Sequence, residues 1–118
     1  MVSAGAWASF LTADSPSIGM IYKVRFNGLA AKAFGEYEYV SLQKTENHII
    51  VTPLTNWQAD GDKRAYHIVR DRNGGVLLGV TGLVNREQFI SPDLFGKRYR
   101  VKRGRGDNKI YICLREEV

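Results

Sequence analysis

The highest density of basic residues in the sequence is at residues 97–105, Lys-Arg-Tyr-Arg-Val-Lys-Arg-Gly-Arg. If this run is a β-strand, alternation places Tyr99 and Val101 on one side and three of the cations on the other. Such a cationic ribbon is suited to nucleic-acid phosphates, which release counterions when they are neutralised. The candidate contacts are Lys97, Arg98, Arg100, Lys102, Arg103 and Arg105. The same row also suits an acidic protein surface, or a charged edge strand that avoids aggregation.

A second cationic site is predicted at the tip of a hairpin around residues 71–75. Arg70 and Arg72 flank Asp71 there, and Asn73-Gly74 between two apolar runs is a strong hairpin signal. We expect the two arginines to extend the phosphate-binding surface and Asp71 to organise the turn.

Residues typical of catalysis or metal binding are scarce. The sequence has no glycine-rich phosphate loop, no Gly-x-Ser-x-Gly elbow, and no spaced cluster around its two histidines and single cysteine. It therefore predicts no metal, no cofactor and no catalytic residue. One enzyme hypothesis stays open, a small ribonuclease that would use Tyr66, His67, Arg70 and Arg72. Strand alternation places Tyr66 and His67 on opposite faces, which weakens that hypothesis.

The elements that carry these residues are mostly short strands. Apolar runs predict strands at 20–26, 36–42, 48–54, 64–70, 76–80, 97–103 and 109–114. Helix formers at 29–34 predict a short helix that ends at Gly35, and Asn85 is predicted to begin another. Residues 55–62 are predicted to be a polar connection. The predicted fold class is β-rich α+β, with six or seven short strands in hairpins and one or two short helices.

The bulk composition is that of one ordinary globular domain. Of the 118 residues, 44% are hydrophobic and 25% are charged, and no apolar run is long enough to cross a membrane. The net charge of +5 comes from residues 60–118, since the cations and carboxylates before residue 60 cancel. Residues 1–19 are predicted to be a leader and 20–118 the domain. Cys113 is expected to be a buried hydrophobe of a cytoplasmic protein.

The two halves of the domain resemble each other. A shift of 61 residues aligns Phe34-Gly35 with Phe95-Gly96, Val40 with Val101, Asn47 with Asn108, and Ile49 with Ile110. Two repeats, 20–54 and 64–115, would build a pseudo-two-fold barrel within one chain. Two unrelated hairpins of similar composition would give the same likeness by chance, and both interpretations stay open.

Each half has the order strand, short helix ending in glycine, strand, turn, strand. This order resembles the swapped-hairpin DNA-binding domain of the AbrB/MazE type. The residues that carry the resemblance are Val24-Arg25-Phe26, 29–35, Tyr39-Val40-Ser41-Leu42 and 47–51, then Phe95-Gly96, Tyr99-Arg100-Val101 and 108–112. The apolar-Pro pair that usually precedes the family's helix is replaced by Asn27-Gly28 and Thr81-Gly82.

The resemblance implies a barrel of two such units, formed either by a homodimer or by the two halves of a monomer. It also implies that DNA contacts come from basic residues on the first strand and in the loop before the helix. Position by position these are Lys23 and Arg25, then Lys32, with Arg86 as the nearest match in the second half.

The sequence thus predicts a small basic protein that binds nucleic acid, DNA in preference to RNA, through the 97–105 ribbon. A DNA-binding regulator or an antitoxin-like factor would fit this description. The alternative is an inhibitor or phage-type accessory module that binds an acidic protein surface, and the ribonuclease is the third hypothesis. Association with a membrane is not expected.

Overall fold

The computed structural model describes residues 5–61, 65–85 and 89–118 of the chain. Its strands are β1 (Trp7–Ser15), β2 (Gly19–Phe26), β3 (Tyr39–Lys44), β4 (His48–Leu54), β5 (Tyr66–His67), β6 (Val69–Arg70), β7 (Val76–Gly79), β8 (Arg98–Arg103) and β9 (Ile110–Glu117). Its helices are α1 (Gly28–Ala31), α2 (Asn56–Asp60) and α3 (Thr81–Asn85), with 3-10 helices at Lys32–Phe34 and Pro92–Leu94. The predicted β-rich α+β class is confirmed, with more strands in the described residues than the six or seven expected.

The strands form one antiparallel sheet that curls into a nearly closed, barrel-like shape. Their order is β5-β3-β4-β9-β8-β1-β2-β7-β6. β5 and β6, at the two ends of this order, are separated in the chain by the buried residue Ile68 alone. The Ile68 amide donates to the carbonyl oxygen of Glu38 over 2.9 Å. One residue therefore joins the two edges of the sheet.

The core is built from the inward residues of the strands and from the segment that contains α1. Phe10 of β1, Phe26 of β2 and Phe34 after α1 are all fully buried. The rings of Phe26 and Phe34 meet edge to face, with their centres 4.8 Å apart. Burying such large apolar side chains is the main force that holds the short helix against β1 and β2.

The prediction of a leader at residues 1–19 was wrong for the part of it that the structure describes. Trp7–Ser15 forms β1, which pairs with β2 along its length and with β8 at Trp7, Ala8 and Ser9. Ala8 and Phe10 point inward and are fully buried, and Phe10 packs against the rings of Phe95 and Tyr99. The alternation of small and aromatic residues in this stretch is therefore that of a strand.

The predicted helix at 29–34 is confirmed as α1 and the 3-10 helix that follows it. The Asn27 side chain accepts a hydrogen bond from the amide of Ala30 over 3.0 Å and so caps the helix. Gly35 ends the segment with φ of 52°, a conformation that favours glycine. No helix in the described part of the chain is long and apolar enough to span a membrane.

Two other expectations about local structure were wrong. The polar connection at 55–62 contains α2, because Thr55 and Gln58 form a capping box that satisfies the first amides of a helix. Asn85 was predicted to precede a helix as its N-cap, but it already lies within α3. Residues 86–88 lie outside the described residues, and so does Arg86, the contact that the family resemblance implied in the second half.

The two halves of the chain meet where β4 pairs with β9. Ile50 lies opposite Tyr111, which is 61 residues later, and the flanking pairs are Ile49 with Ile112 and Val51 with Ile110. A shift of 61 residues therefore moves these three residues of β4 onto the three residues of β9 and reverses the order of the cross-strand pairs. An approximate two-fold axis between the two strands gives the same relation. A duplication as the origin of this arrangement stays a prediction.

Candidate functional site

The predicted alternation along the basic strand β8 is confirmed. Tyr99 and Val101 are buried in the barrel, while Arg98, Arg100 and Lys102 are exposed on its outside. We call these three cations, with the rings of Trp7 and Tyr111 beside them, the outer face of β8. The strand is held in this orientation because its apolar residues fill the core between β1 and β9.

Carboxylates from the end of β9 lie beside the outward cations. A bulge opposite Tyr99 and Arg100 lets β9 continue alongside β8 to Glu117. Glu116 pairs with Arg100 at 3.5 Å and with Lys102 at 3.1 Å, and Glu117 pairs with Lys97 at 3.7 Å. The hydrogen bond from Lys102 lowers the pKa of Glu116 below its ordinary value of 4.5. These ion pairs are solvent-exposed and weak, so a phosphate can compete for their cations.

Aromatic rings flank β8 on both sides of the outer face. Trp7 of β1 lies opposite Arg100, and the guanidinium carbon of Arg98 stands 5.1 Å from the centre of the Trp7 ring. Tyr111 of β9 lies opposite Lys102. The Tyr111 hydroxyl donates to Asp107 over 2.9 Å, which fixes the ring at the base of the 104–109 loop. Both rings are half-buried, so part of each remains accessible.

Arg103 does not belong to the outer face. It lies opposite Ile110 and two residues after Val101, so strand alternation points its side chain to the core side of the sheet. At this position the packed interior has ended. There it lines a cleft of about 230 Å³ together with Lys32. It also lines a second cleft, of about 360 Å³, together with Lys109. The helix that contains Lys32 thus meets the end of the basic ribbon.

We call Lys32, Arg103, Arg105 and Lys109 the cationic end. Within the described residues, none of these four side chains has an ion-pair partner. The carboxylate of the neighbouring loop, Asp107, accepts hydrogen bonds from the Lys109 amide and the Tyr111 hydroxyl. A Cβ at Gly104 would collide with that carboxylate, so a larger residue there would displace the Asp107 side chain. The cationic end therefore presents charge that no carboxylate of residues 5–61, 65–85 and 89–118 neutralises in an ion pair.

Arg25 has a structural partner at the hairpin tip. Its Nε donates to Asp71 over 2.7 Å, and Asp71 also accepts from the amides of Asn73 and Gly75. The Arg25 guanidinium lowers the pKa of Asp71 below its ordinary value of 3.8. Gly75 packs so closely that a Cβ there would lie 2.6 Å from Arg25. Asp71 organises this turn, as the sequence predicted.

The other predicted contacts lie apart from the β8–β9 hairpin. Arg70 donates from Nη2 to the carbonyl oxygens of Gly35 and Tyr37, each over 2.8 Å, and so ties β6 to the end of the helical segment. Lys23 and Arg72 are exposed and have no ion-pair partner in the described ranges. The structure therefore divides the predicted contacts among several surfaces instead of one ribbon.

Two residues of the ribonuclease hypothesis, His67 and Arg70, have contacts within the protein. The ring of His67 meets the ring of Tyr39 edge to face at 5.2 Å, and Arg70 is held by backbone carbonyls. Cys113 is buried, and burial raises the pKa of its thiol, which favours the unreactive protonated form.

Sequence reasoning missed four residues of this region: Trp7, Lys109, Tyr111 and Glu116. Trp7 was assigned to the leader, although the alternation of Ala8 and Phe10 with polar or exposed neighbours indicates a strand. Glu116 was overlooked because it pairs across two strands, and its partner depends on the bulge in β9. The signal available in the sequence was the pair of glutamates that follows the last strand of a basic hairpin.

Comparison of the chain with protein-family models, with curated proteins and with solved structures finds no match. The resemblance to the AbrB/MazE type therefore stays a prediction, together with the regulatory role and the dimer that it implies.

Proposed function

We propose that this protein binds nucleic acid through the phosphate backbone. The observation that carries the proposal is the cationic end. Lys32, Arg103 and Lys109 line two clefts there, and none of the four cations has an ion-pair partner in the part of the chain that the structure describes. A cation without an internal partner attracts a phosphate without first giving up an ion pair. Each such contact also releases condensed counterions, which makes binding stronger at low salt.

The concave shape of this region supports the same proposal. The cleft between Arg103 and Lys109 is also lined by Gly104 and Gly106, so a phosphate can approach the main chain closely there. Another cleft, of about 660 Å³, lies beside α1 and is lined by Lys32 and Arg70 together with glycines. Lys32 borders clefts on two sides of the helical segment and therefore links them into one cationic surface.

The outer face of β8 adds contacts of a different kind. Two of its cations, Arg100 and Lys102, are held by Glu116, and they serve a phosphate only when it displaces this exposed carboxylate. Arg98 lies against the ring of Trp7 instead. We therefore assign the main electrostatic contribution to the cationic end and a supporting contribution to Arg98, Arg100 and Lys102.

The test is a fluorescence-anisotropy titration with labelled mixed-sequence DNA and RNA over a series of salt concentrations. The wild type should bind at low salt and weaken steeply as salt rises. A variant carrying Arg103→Ala, Arg105→Ala and Lys109→Ala should bind more weakly. The slope of its plot of log affinity against log salt concentration should be smaller in magnitude by about two to three units, because about one unit of slope is lost with each phosphate contact.

A matched control removes three exposed cations elsewhere, through Lys23→Ala, Lys44→Ala and Arg72→Ala. Two of these were predicted contacts, and a loss equal to that of the first variant would show that net charge alone governs binding. Absence of binding at low salt would overturn the proposal. Displacement of the nucleic acid by polyglutamate at equal charge concentration would overturn it in favour of an acidic protein partner.

A further inference from the structure

The outer face of β8 combines two features that phosphate binding does not require. β8 lies between β1 and β9, and each of these neighbours presents an aromatic ring opposite a cation of β8. Trp7 of β1 lies opposite Arg100, and Tyr111 of β9 lies opposite Lys102. Adjacent strands lie about 4.8 Å apart, so the two rings are separated by roughly 10 Å across the sheet. His48 adds a third ring, 5.8 Å from that of Tyr111.

Part of the charge on this face is compensated, while Arg98 has no ion-pair partner among the described residues. Arg100 and Lys102 share Glu116, and Lys97 pairs with Glu117. A backbone phosphate therefore gains less at Arg100 and Lys102 than at the cationic end, where no carboxylate forms an ion pair with the cations among the described residues. By contrast, the planar guanidinium of Arg98 and the rings beside it offer flat surfaces on which a nucleobase can stack.

We infer that the ligand is a single-stranded nucleic acid, with its bases stacked on Trp7 and Tyr111 of the outer face while its phosphates follow the cationic end. The inference rests on the function proposed above and names the class of ligand. In a duplex the bases are stacked on one another, which hides their flat faces. A duplex therefore leaves these two rings without a partner. Stacking on aromatic side chains tolerates any base sequence, because every base has a π-face.

The two regions are joined in a way that suits one continuous ligand. Tyr111 belongs to the outer face, and its hydroxyl is tied to Asp107 in the loop that carries Arg105 and leads to Lys109. The same hydrogen bond orients the ring, so little conformational entropy is lost when a base stacks on it. A nucleic-acid strand that leaves the rings therefore reaches the cationic end within a few residues of β9.

The test uses the natural fluorescence of Trp7. The chain contains two tryptophans, and Trp57→Phe removes the other one, which lies on α2 and is 83% exposed. Titration of this variant with an unlabelled single strand should quench the remaining emission. The duplex of the same sequence should leave the emission nearly unchanged and should bind at least tenfold more weakly. Single strands of DNA and of RNA, matched in sequence, show which sugar is preferred, and quenching by either one supports the inference.

A pair of variants at Tyr111 separates stacking from folding. Tyr111→Leu removes the ring and should weaken single-strand binding by roughly tenfold to one hundredfold, which is the usual effect of losing one stacked base. Tyr111→Phe keeps the ring, loses only the bond to Asp107, and should bind within about threefold of the wild type. Circular dichroism of both variants shows that they are folded. Equal losses in the two would contradict stacking and overturn the inference.

The failure of this inference can be told apart from the failure of the proposed function. Equal affinity for single strand and duplex, without quenching of Trp7, would overturn the single-strand inference and leave phosphate binding intact. Absence of binding to either ligand in the anisotropy titration would overturn both.

Discussion

The outer face of β8 and the cationic end are neighbouring parts of one hairpin whose cations have different surroundings. On the outer face, Glu116 lies within 3.5 Å of Arg100 and 3.1 Å of Lys102. At the cationic end, Arg103 and Lys109 line a cleft without an ion-pair partner in the described residues. The density of lysine and arginine in a sequence therefore does not measure the charge that a surface offers to a ligand, because the fold decides where the carboxylates lie.

The largest expected effect concerns the packing that places β1 beside β8, without which the outer face has no Trp7. Phe10→Ala removes a fully buried ring and should lower the free energy of unfolding by about 3–5 kcal/mol. Chemical denaturation with circular dichroism measures it. Leu11→Ala, at an exposed position of the same strand, is the control and should change stability by less than about 1 kcal/mol. Equal, small effects in both variants would mean that β1 is not part of the core.

The next effect separates the two regions by salt dependence. Replacing Arg100, Lys102 and Glu116 together with glutamine removes a compensated cluster, so the salt dependence of nucleic-acid binding should change by less than about one unit of slope. Removing Arg103, Arg105 and Lys109 of the cationic end should change the slope by about two to three units. Anisotropy titrations at four salt concentrations measure both. Identical changes in slope would show that the carboxylates do not compensate the outer face.

A smaller effect, of opposite sign, is expected when only the carboxylate is removed. Glu116→Gln frees Arg100 and Lys102, which should tighten nucleic-acid binding several-fold at low salt and steepen its salt dependence by about one unit. Glu46→Gln is the control, since Glu46 pairs at 3.9 Å with Arg115, outside both regions. Unchanged affinity in Glu116→Gln would mean that its two cations do not contact the ligand.

The smallest effect is a dependence on pH. The pKa of Glu116 is lowered by its bond from Lys102, so the pair persists to more acidic pH than an ordinary glutamate would allow. Its contribution to stability is present above the pKa of the unfolded chain and is lost as pH falls through the lowered folded pKa. Over the same range the outer face gains positive charge, and nucleic-acid binding should tighten. The tightening should be reduced in Glu116→Gln, and an equal response there would assign it to another group.

Much of the fold could be predicted from local patterns. The helix ending at Gly35 and the hairpin at Asn73-Gly74 depend on neighbouring residues, and the inward side of β8 follows from strict alternation. Trp7 and Phe10 were misassigned because small residues such as Ala8 and Ser9 give a weak strand signal, and only the distant β8 and Phe95 supply their packing. The closure of the sheet also depends on contacts far apart in sequence.

The candidate site was predictable only in part. The outward orientation of Arg98, Arg100 and Lys102 follows from the pleat of a strand. The position of the Arg103 side chain near the helix depends instead on where the barrel ends. The pairing of Glu116 depends on a bulge, and that of Arg25 on the distant Asp71. Both are tertiary contacts, which no local pattern records.

The closure at Ile68 has a consequence for how the protein behaves at high concentration. An open sheet presents two rows of unpaired amides and carbonyls, which recruit other chains into fibrils. Here the two edge strands are only two residues long and belong to one continuous segment, 66–70. Little free edge is left there to which a second molecule could add a strand. Ile68, which completes the barrel, therefore also protects the chain from aggregation at this edge.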